Sequence, residues 1–144
     1  MTDKKTVKDA KKVIKDNLEK LHLLRDQGYE EFTSDFRNID SSLLRLQTTV
    51  KAFLALEMQI AALLAIETPP QDEEYFNRLK EGGHLPKDKR KTYEDMIAFR
   101  ERVGKLTNRM DSKALYDIVT NELESIEHFE KNLHTIIKAH KKGK

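Results

Sequence analysis

Histidine is the side chain best suited to proton transfer near neutral pH, and the chain has five. Three of them, His128, His134 and His140, share one helical stretch at six-residue spacing. At about 100° per residue, successive members of that series point about 120° apart and do not converge on one metal ion. Solvated surface histidines are the simpler reading. There is no glycine-rich phosphate loop, no His-Glu-x-x-His pair and no nucleophile elbow. The absence of cysteine removes disulfides, thiolate ligands and cysteine nucleophiles. No metal and no cofactor is called for.

Arg100 is different because of its surroundings. On an ideal helix it lies within about 60° of Tyr93, Met96, Ile97 and Val103, so a guanidinium sits in the middle of an apolar stripe. A charge placed there needs a partner. A structural ion pair with Asp35, Asp40 or Glu57 would satisfy it, and so would a phosphate or an acid on another protein. The cluster Lys87, Lys89, Arg90 and Lys91, with Asp88 inside it, reads as a solvated helix start that could also track a phosphate backbone. With 27 Lys and Arg against 25 Asp and Glu, the formal charge of +2 is too small for the whole surface to be a nucleic-acid footprint.

The elements that position these residues read as helices. The chain has 144 residues, 38% of them hydrophobic, enough for one core, and three prolines with five glycines disfavour a turn-rich β architecture. Val7, Val13, Ile14, Leu18, Leu21 and Leu24 recur mostly at steps of three and four, up to a stop at Gly28. A short aromatic and acidic segment, Tyr29 to Phe36, carries a Ser-Asp pair able to cap the next helix. That helix, the longest element, is expected from Arg37 to Glu67, closed by Pro69-Pro70. It is apolar over most of its circumference, which implies burial by a central place in the bundle or by a second chain. Its most apolar run, Ala52 to Ile66, contains Glu57 and Gln59 and falls short of the roughly 20 residues that span a bilayer, so no membrane is expected.

A short helix around Tyr75, Phe76 and Leu79 should close at Gly82-Gly83, and after Leu85-Pro86 the next should start near Asp88. A final helix is expected from Ser112 to about Ala139. The lysine-rich first twenty residues lack the apolar core of a secretory signal, so a cytoplasmic location is expected. The chain therefore reads as one all-α domain over 1–144, an antiparallel bundle of about five helices with a basic tail from about residue 140.

Several of these segments together resemble the HepT-like branch of the HEPN superfamily. The first half carries Glu31-Phe32-Thr33-Ser34-Asp35, Ile39-Asp40-Ser41-Ser42-Leu43 and Arg45-Leu46-Gln47, then the apolar helix and Thr68-Pro69-Pro70. The second half carries Phe76 to Pro86, Met96-Ile97-Ala98-Phe99-Arg100 and the closing stretch from Met110-Asp111 to Phe129. The resemblance spans roughly Asn17 to Ile137. It implies a HEPN-like homodimer encoded beside a minimal nucleotidyltransferase, which neutralises those members that act as metal-independent ribonuclease toxins.

The family's active-site pattern is Arg followed by Asn, then, after four intervening residues, His, and after one more a Tyr that the nucleotidyltransferase can modify. Here Arg100 is kept, while Glu101, Lys105 and Thr107 occupy the other three positions. Acid-base catalysis of 2′-hydroxyl attack needs a group that titrates near pH 7; the ordinary pKa of His is about 6.5 and that of Lys about 10.4. Lys105 supplies charge without that chemistry, and Glu101 places a negative charge beside Arg100. Along a continuous helix Arg100 and Lys105 also point about 140° apart, and they would meet only through a break near Gly104 or across a dimer interface. Two readings are open. One is a dimeric binding partner of a nucleotidyltransferase with a degenerate ribonuclease site; the other is an active endoribonuclease toxin that pairs Arg100 with an unconventional acid-base residue. RNA or a nucleotide is a further candidate ligand under either.

Overall fold

The computed structural model describes residues 4–71, 74–84 and 89–142, which form seven α-helices and no strand. They are α1 (Lys4–Asp26), α2 (Tyr29–Ser34), α3 (Phe36–Leu63), α4 (Glu74–Glu81), α5 (Arg90–Asn108), α6 (Ser112–Asn121) and α7 (Leu123–Lys142). The expected helix start near Asp88, the Leu85-Pro86 step, Lys87 of the basic cluster and the end of the basic tail at 143–144 lie outside the described residues.

Local signals account for several boundaries. Gly28 stops α1 in the left-handed region (φ 86°), its N–H donating to the Arg25 carbonyl at 3.1 Å. The segment after it is helical because Phe32 donates its N–H back to the Gly28 carbonyl at 2.9 Å and is fully buried against the Tyr116 ring, 5.0 Å away. Asp35 caps α3, its carboxylate accepting from the Arg37 N–H at 2.9 Å.

Two boundaries differ from the sequence reading. α3 ends at Leu63, before Glu67, because the chain closes a Schellman motif: the Ile66 N–H donates to the Ala61 carbonyl at 2.9 Å and the Ala65 N–H to that of Ala62 at 3.3 Å. The left-handed position is Ala65 (φ 54°), where a Cβ costs about 1–2 kcal/mol and where the usual glycine signal is missing. The expected single helix from Ser112 to Ala139 is two helices, broken at Glu122, whose carboxylate binds Arg102 of α5. Below the break α6 packs on α1, α2 and α3, and above it α7 packs on α1, α3 and α5. The count is therefore seven rather than about five.

α3 is the axis of the bundle and touches each of the other six helices. That position explains much of its apolar circumference: Leu56 is buried and Leu63 packs partly against the core, as does Ile66 just past the helix end. Leu44 (59% exposed) and Met58 (39%) are left outside. At the α1–α3 seam the buried Asn17 and Thr49 belong to a small polar cluster. Asn17 donates to the Arg45 carbonyl (3.0 Å), Thr48 Oγ1 (2.8 Å) and Thr49 Oγ1 (3.0 Å), and its own carbonyl accepts from Arg45 Nη1 (3.3 Å). Asn17→Leu would remove these bonds and leave the Thr48 and Thr49 hydroxyls only the Arg45 carbonyl, to which they donate at 3.2 and 2.7 Å, and chemical denaturation should show a loss of about 1–3 kcal/mol.

On the opposite flank of α3 lies an aromatic pile. Phe129 of α7 packs against Phe53 (4.8 Å between ring centres), Phe76 (5.5 Å) and Tyr93 (6.0 Å). It ties α3, α4, α5 and α7 together and forms the floor on which Arg100 rests.

Candidate functional site

α5 runs unbroken from Arg90 to Asn108, through Gly104. Its buried stripe of Tyr93, Met96, Phe99, Val103 and Leu106 fixes the rotation of the helix. Arg100 lies at one edge of that stripe, facing α3. The guanidinium Nη1 donates to Glu57 Oε1 at 3.1 Å and Nη2 donates to Oε2, a bidentate pairing. The same guanidinium stacks over the rings of Phe76 (5.2 Å) and Phe129 (5.8 Å). The Arg100 side chain is 19% exposed and that of Glu57 is completely buried.

Of the three carboxylates open to Arg100 from sequence, the bundle selects Glu57. Asp35 is held by Arg37 at 2.9 Å, and Asp40 is exposed. Burial pushes the Glu57 carboxyl above its ordinary range, while the charge and hydrogen bonds of Arg100 pull it back. A carboxylate in the most apolar run of the chain cannot be buried without such a partner. Held by Glu57 and covered by the two rings, the Arg100 guanidinium has its Nη1 and Nη2 donors already engaged and offers a phosphate less than a free guanidinium would.

The other three positions do not gather around Arg100. Glu101 and Lys105 are exposed on the outer side of α5, about 100° and 140° around the helix from Arg100. Because the helix does not break at Gly104, Lys105 and Arg100 of one chain stay apart. Thr107 returns to the α3 side, about 20° from Arg100. Its hydroxyl donates to the Val103 carbonyl at 3.0 Å and accepts from Gln47 Nε2 at 2.8 Å. Position 107 is therefore a junction between α3 and α5, and position 105 belongs to a different surface.

That surface is a groove of about 700 Å³ between the end of α5 and α6, floored by Leu106, Ala114 and Ile118. Arg102 at its wall is bound to Glu122, and Asp111 is used as the N-cap of α6. Lys105 and Arg109 are the cations in the groove that make no ion pair among the described residues. A second groove of about 730 Å³ separates α1 from α7, and there Lys11 Nζ lies 2.9 Å from His134 Nδ1. His140 Nδ1 instead meets the Ile136 carbonyl at 2.9 Å, and His128 is exposed. Among the described residues no three His, Asp or Glu side chains are placed to hold a metal ion.

The aromatic cradle under Arg100 and the Gln47 contact to Thr107 are features that the sequence reading lacked. Phe76 and Phe129 are 53 residues apart in the chain and read only as core positions. A hint did exist for Glu57, the one carboxylate inside the run Ala52 to Ile66.

Comparison with known proteins gives a consistent result. A family model described as ribonuclease HepT-like matches residues 14–133. No curated protein matches the chain in sequence. Among solved structures, the chain is similar to one in the crystal structure of a toxin-antitoxin with AMP-PNP (TM-score 0.73, 19% identity, covering 92% of this chain and 99% of that one). It is also similar to a chain of a mutant toxin-antitoxin MntA-HpeT (TM-score 0.71, 20% identity, covering 94% and 98%). At these identities the likeness establishes the fold. No helix among the described residues is long and apolar enough to cross a membrane.

Proposed function

The chain belongs to the HepT-like ribonuclease family, and from that premise we propose that it is the HepT-like component of a toxin-antitoxin module: a homodimer that binds a nucleotidyltransferase and does not itself cleave RNA. The observation that carries this reading is the state of the motif positions. Arg100 is committed to a buried carboxylate, and the acid-base position holds Lys105 on another face of α5. A ribonuclease of this design needs a cation free to hold a phosphate and a group that exchanges protons near pH 7 close to it. Neither requirement is met within one chain. What survives intact is the scaffold, with its long exposed helix faces available for protein contacts. The toxin-antitoxin complexes among its structural neighbours support a partner of the same kind for this chain.

The test is expression in the native host, alone and with the nucleotidyltransferase from the adjacent reading frame. Unimpaired growth in both cases, together with co-purification of the two proteins, is the expected result. Growth arrest that the nucleotidyltransferase relieves, and that Arg100→Ala abolishes, would establish the ribonuclease toxin instead. RNA recovered with the purified protein would identify a nucleic-acid ligand for either form.

A further inference from the structure

Three lysines on this protein each meet a carboxylate one helical turn away: Lys12 with Asp16 (3.1 Å), Lys91 with Asp95 (3.3 Å) and Lys131 with Glu127 (3.3 Å). These are ordinary surface ion pairs. Lys11 is placed differently. Its Nζ lies 2.9 Å from His134 Nδ1, across the groove of about 730 Å³ between α1 and α7, and both side chains are half-buried. An ammonium carries only donors, so the ring nitrogen accepts and the ring's own proton sits on Nε2. The pair therefore joins an amine to a neutral base. That is the arrangement in which a lysine nitrogen acts as a nucleophile, its proton passing to the base as the new bond forms.

The neighbours of Lys11 define the electrophile. On an ideal helix Lys8 and Lys15 lie about one turn to either side of it and within about 60° of its direction. Both are exposed, line the same groove and make no ion pair among the described residues. The acids of the groove stand farther off: Asp9 points about 160° away from Lys11, Glu19 lies about two turns along α1, and Glu130 and Glu127 lie about one and two turns from His134 on α7. A phosphoryl group held by Lys8 or Lys15 sets an acyl carbon attached to it against Lys11 Nζ. We propose that Lys11 is a modification site, acylated by an acyl phosphate with His134 Nδ1 as the proton acceptor. The nitrogen lone pair forms the C–N bond, the bond between the acyl carbon and the phosphate oxygen breaks, and phosphate leaves with the electron pair. The nitrogen's proton passes to Nδ1 and from the ring to water. Ammonium and acyl phosphate thus give an amide, hydrogen phosphate and one released proton, and the groove loses a positive charge. This proposal does not depend on the toxin-antitoxin reading.

The experiment treats the full chain with acetyl phosphate at pH 8 and follows acetylation of each lysine by peptide mass spectrometry. Lys11 should react about 10-fold faster than Lys12 and Lys131, less than the gain from acid-base groups in closed active sites because this groove is open to water. Lys12 and Lys131 are more exposed than Lys11, so accessibility alone gives the opposite order. Wild type by itself is therefore decisive, and a Lys11 rate at or below that of Lys12 would overturn the proposal. His134→Gln keeps an acceptor for the ammonium and removes the base. It should bring Lys11 down to the rate of Lys12, leave the other lysines unchanged and preserve the circular dichroism spectrum. A fast Lys11 indifferent to His134→Gln would overturn the role of the ring. Lys8→Gln combined with Lys15→Gln should slow Lys11 about 10-fold with acetyl phosphate, the worth of one oriented charge contact, and leave its rate with the uncharged donor 4-nitrophenyl acetate unchanged. Equal losses with both donors would overturn recognition of the phosphoryl group.

Discussion

Arg100→Ala is expected to lower the unfolding free energy by about 3–5 kcal/mol, measured by urea denaturation at neutral pH, because it leaves the carboxylate of Glu57 buried without its partner. The same change also removes the guanidinium from the rings of Phe76 and Phe129 and opens space above them. Replacing both members at once, Glu57→Leu with Arg100→Met, removes the polar groups together and should recover most of the loss, since a buried ion pair contributes little beyond an apolar pair of similar volume. The pH dependence separates the charge effect from lost packing. In Arg100→Ala nothing opposes burial, so the folded-state pKa of Glu57 rises further above the ordinary value of 4.5. Between those two values the folded state binds the extra proton, and stability falls as pH increases. The variant should therefore approach wild type below about pH 4.5, where Glu57 is protonated in both states, and diverge from it as pH rises. A deficit that stays constant from pH 4 to pH 8 would show that packing, rather than the stranded carboxylate, carries the loss.

The purified wild-type protein is expected to show no metal-independent RNA cleavage above background. The triple change Glu101→Asn, Lys105→His and Thr107→Tyr should then gain cleavage, or toxicity on expression, by about 10²- to 10⁴-fold, the usual contribution of a placed acid-base group. All three positions are exposed, so the substitutions should not disturb the core. Since position 105 points about 140° away from Arg100 within one chain, any activity gained has to combine groups from two copies. It should vanish in the Arg100→Ala background. Cleavage by wild type that survives Lys105→Ala would place the catalytic groups elsewhere on the molecule.

Much of this protein is determined by its sequence taken alone, where the deciding interactions are local. Gly28 ends α1 because only a residue without a Cβ takes its backbone angle cheaply, and Asp35 and Asp111 open α3 and α6 because their carboxylates reach N–H groups two or three residues ahead. The steps of three and four in apolar residues set the buried faces, and the order of the segments is enough to place the family. Arg100 stands out from its position on an apolar stripe before any partner is known. Other features had no local signal. The break at Glu122 leaves the apolar period intact and is accompanied by a bond to Arg102, 20 residues away. The early stop of α3 rests on an alanine where a glycine would have announced it. The choice of Glu57 over Asp35 and Asp40, the cradle of Phe76 and Phe129, and the separation of Lys105 from Arg100 depend on how α3, α4, α5 and α7 pack. Tertiary structure decides these because a buried charge selects its partner by three-dimensional proximity and desolvation, and neither is a function of spacing along the chain.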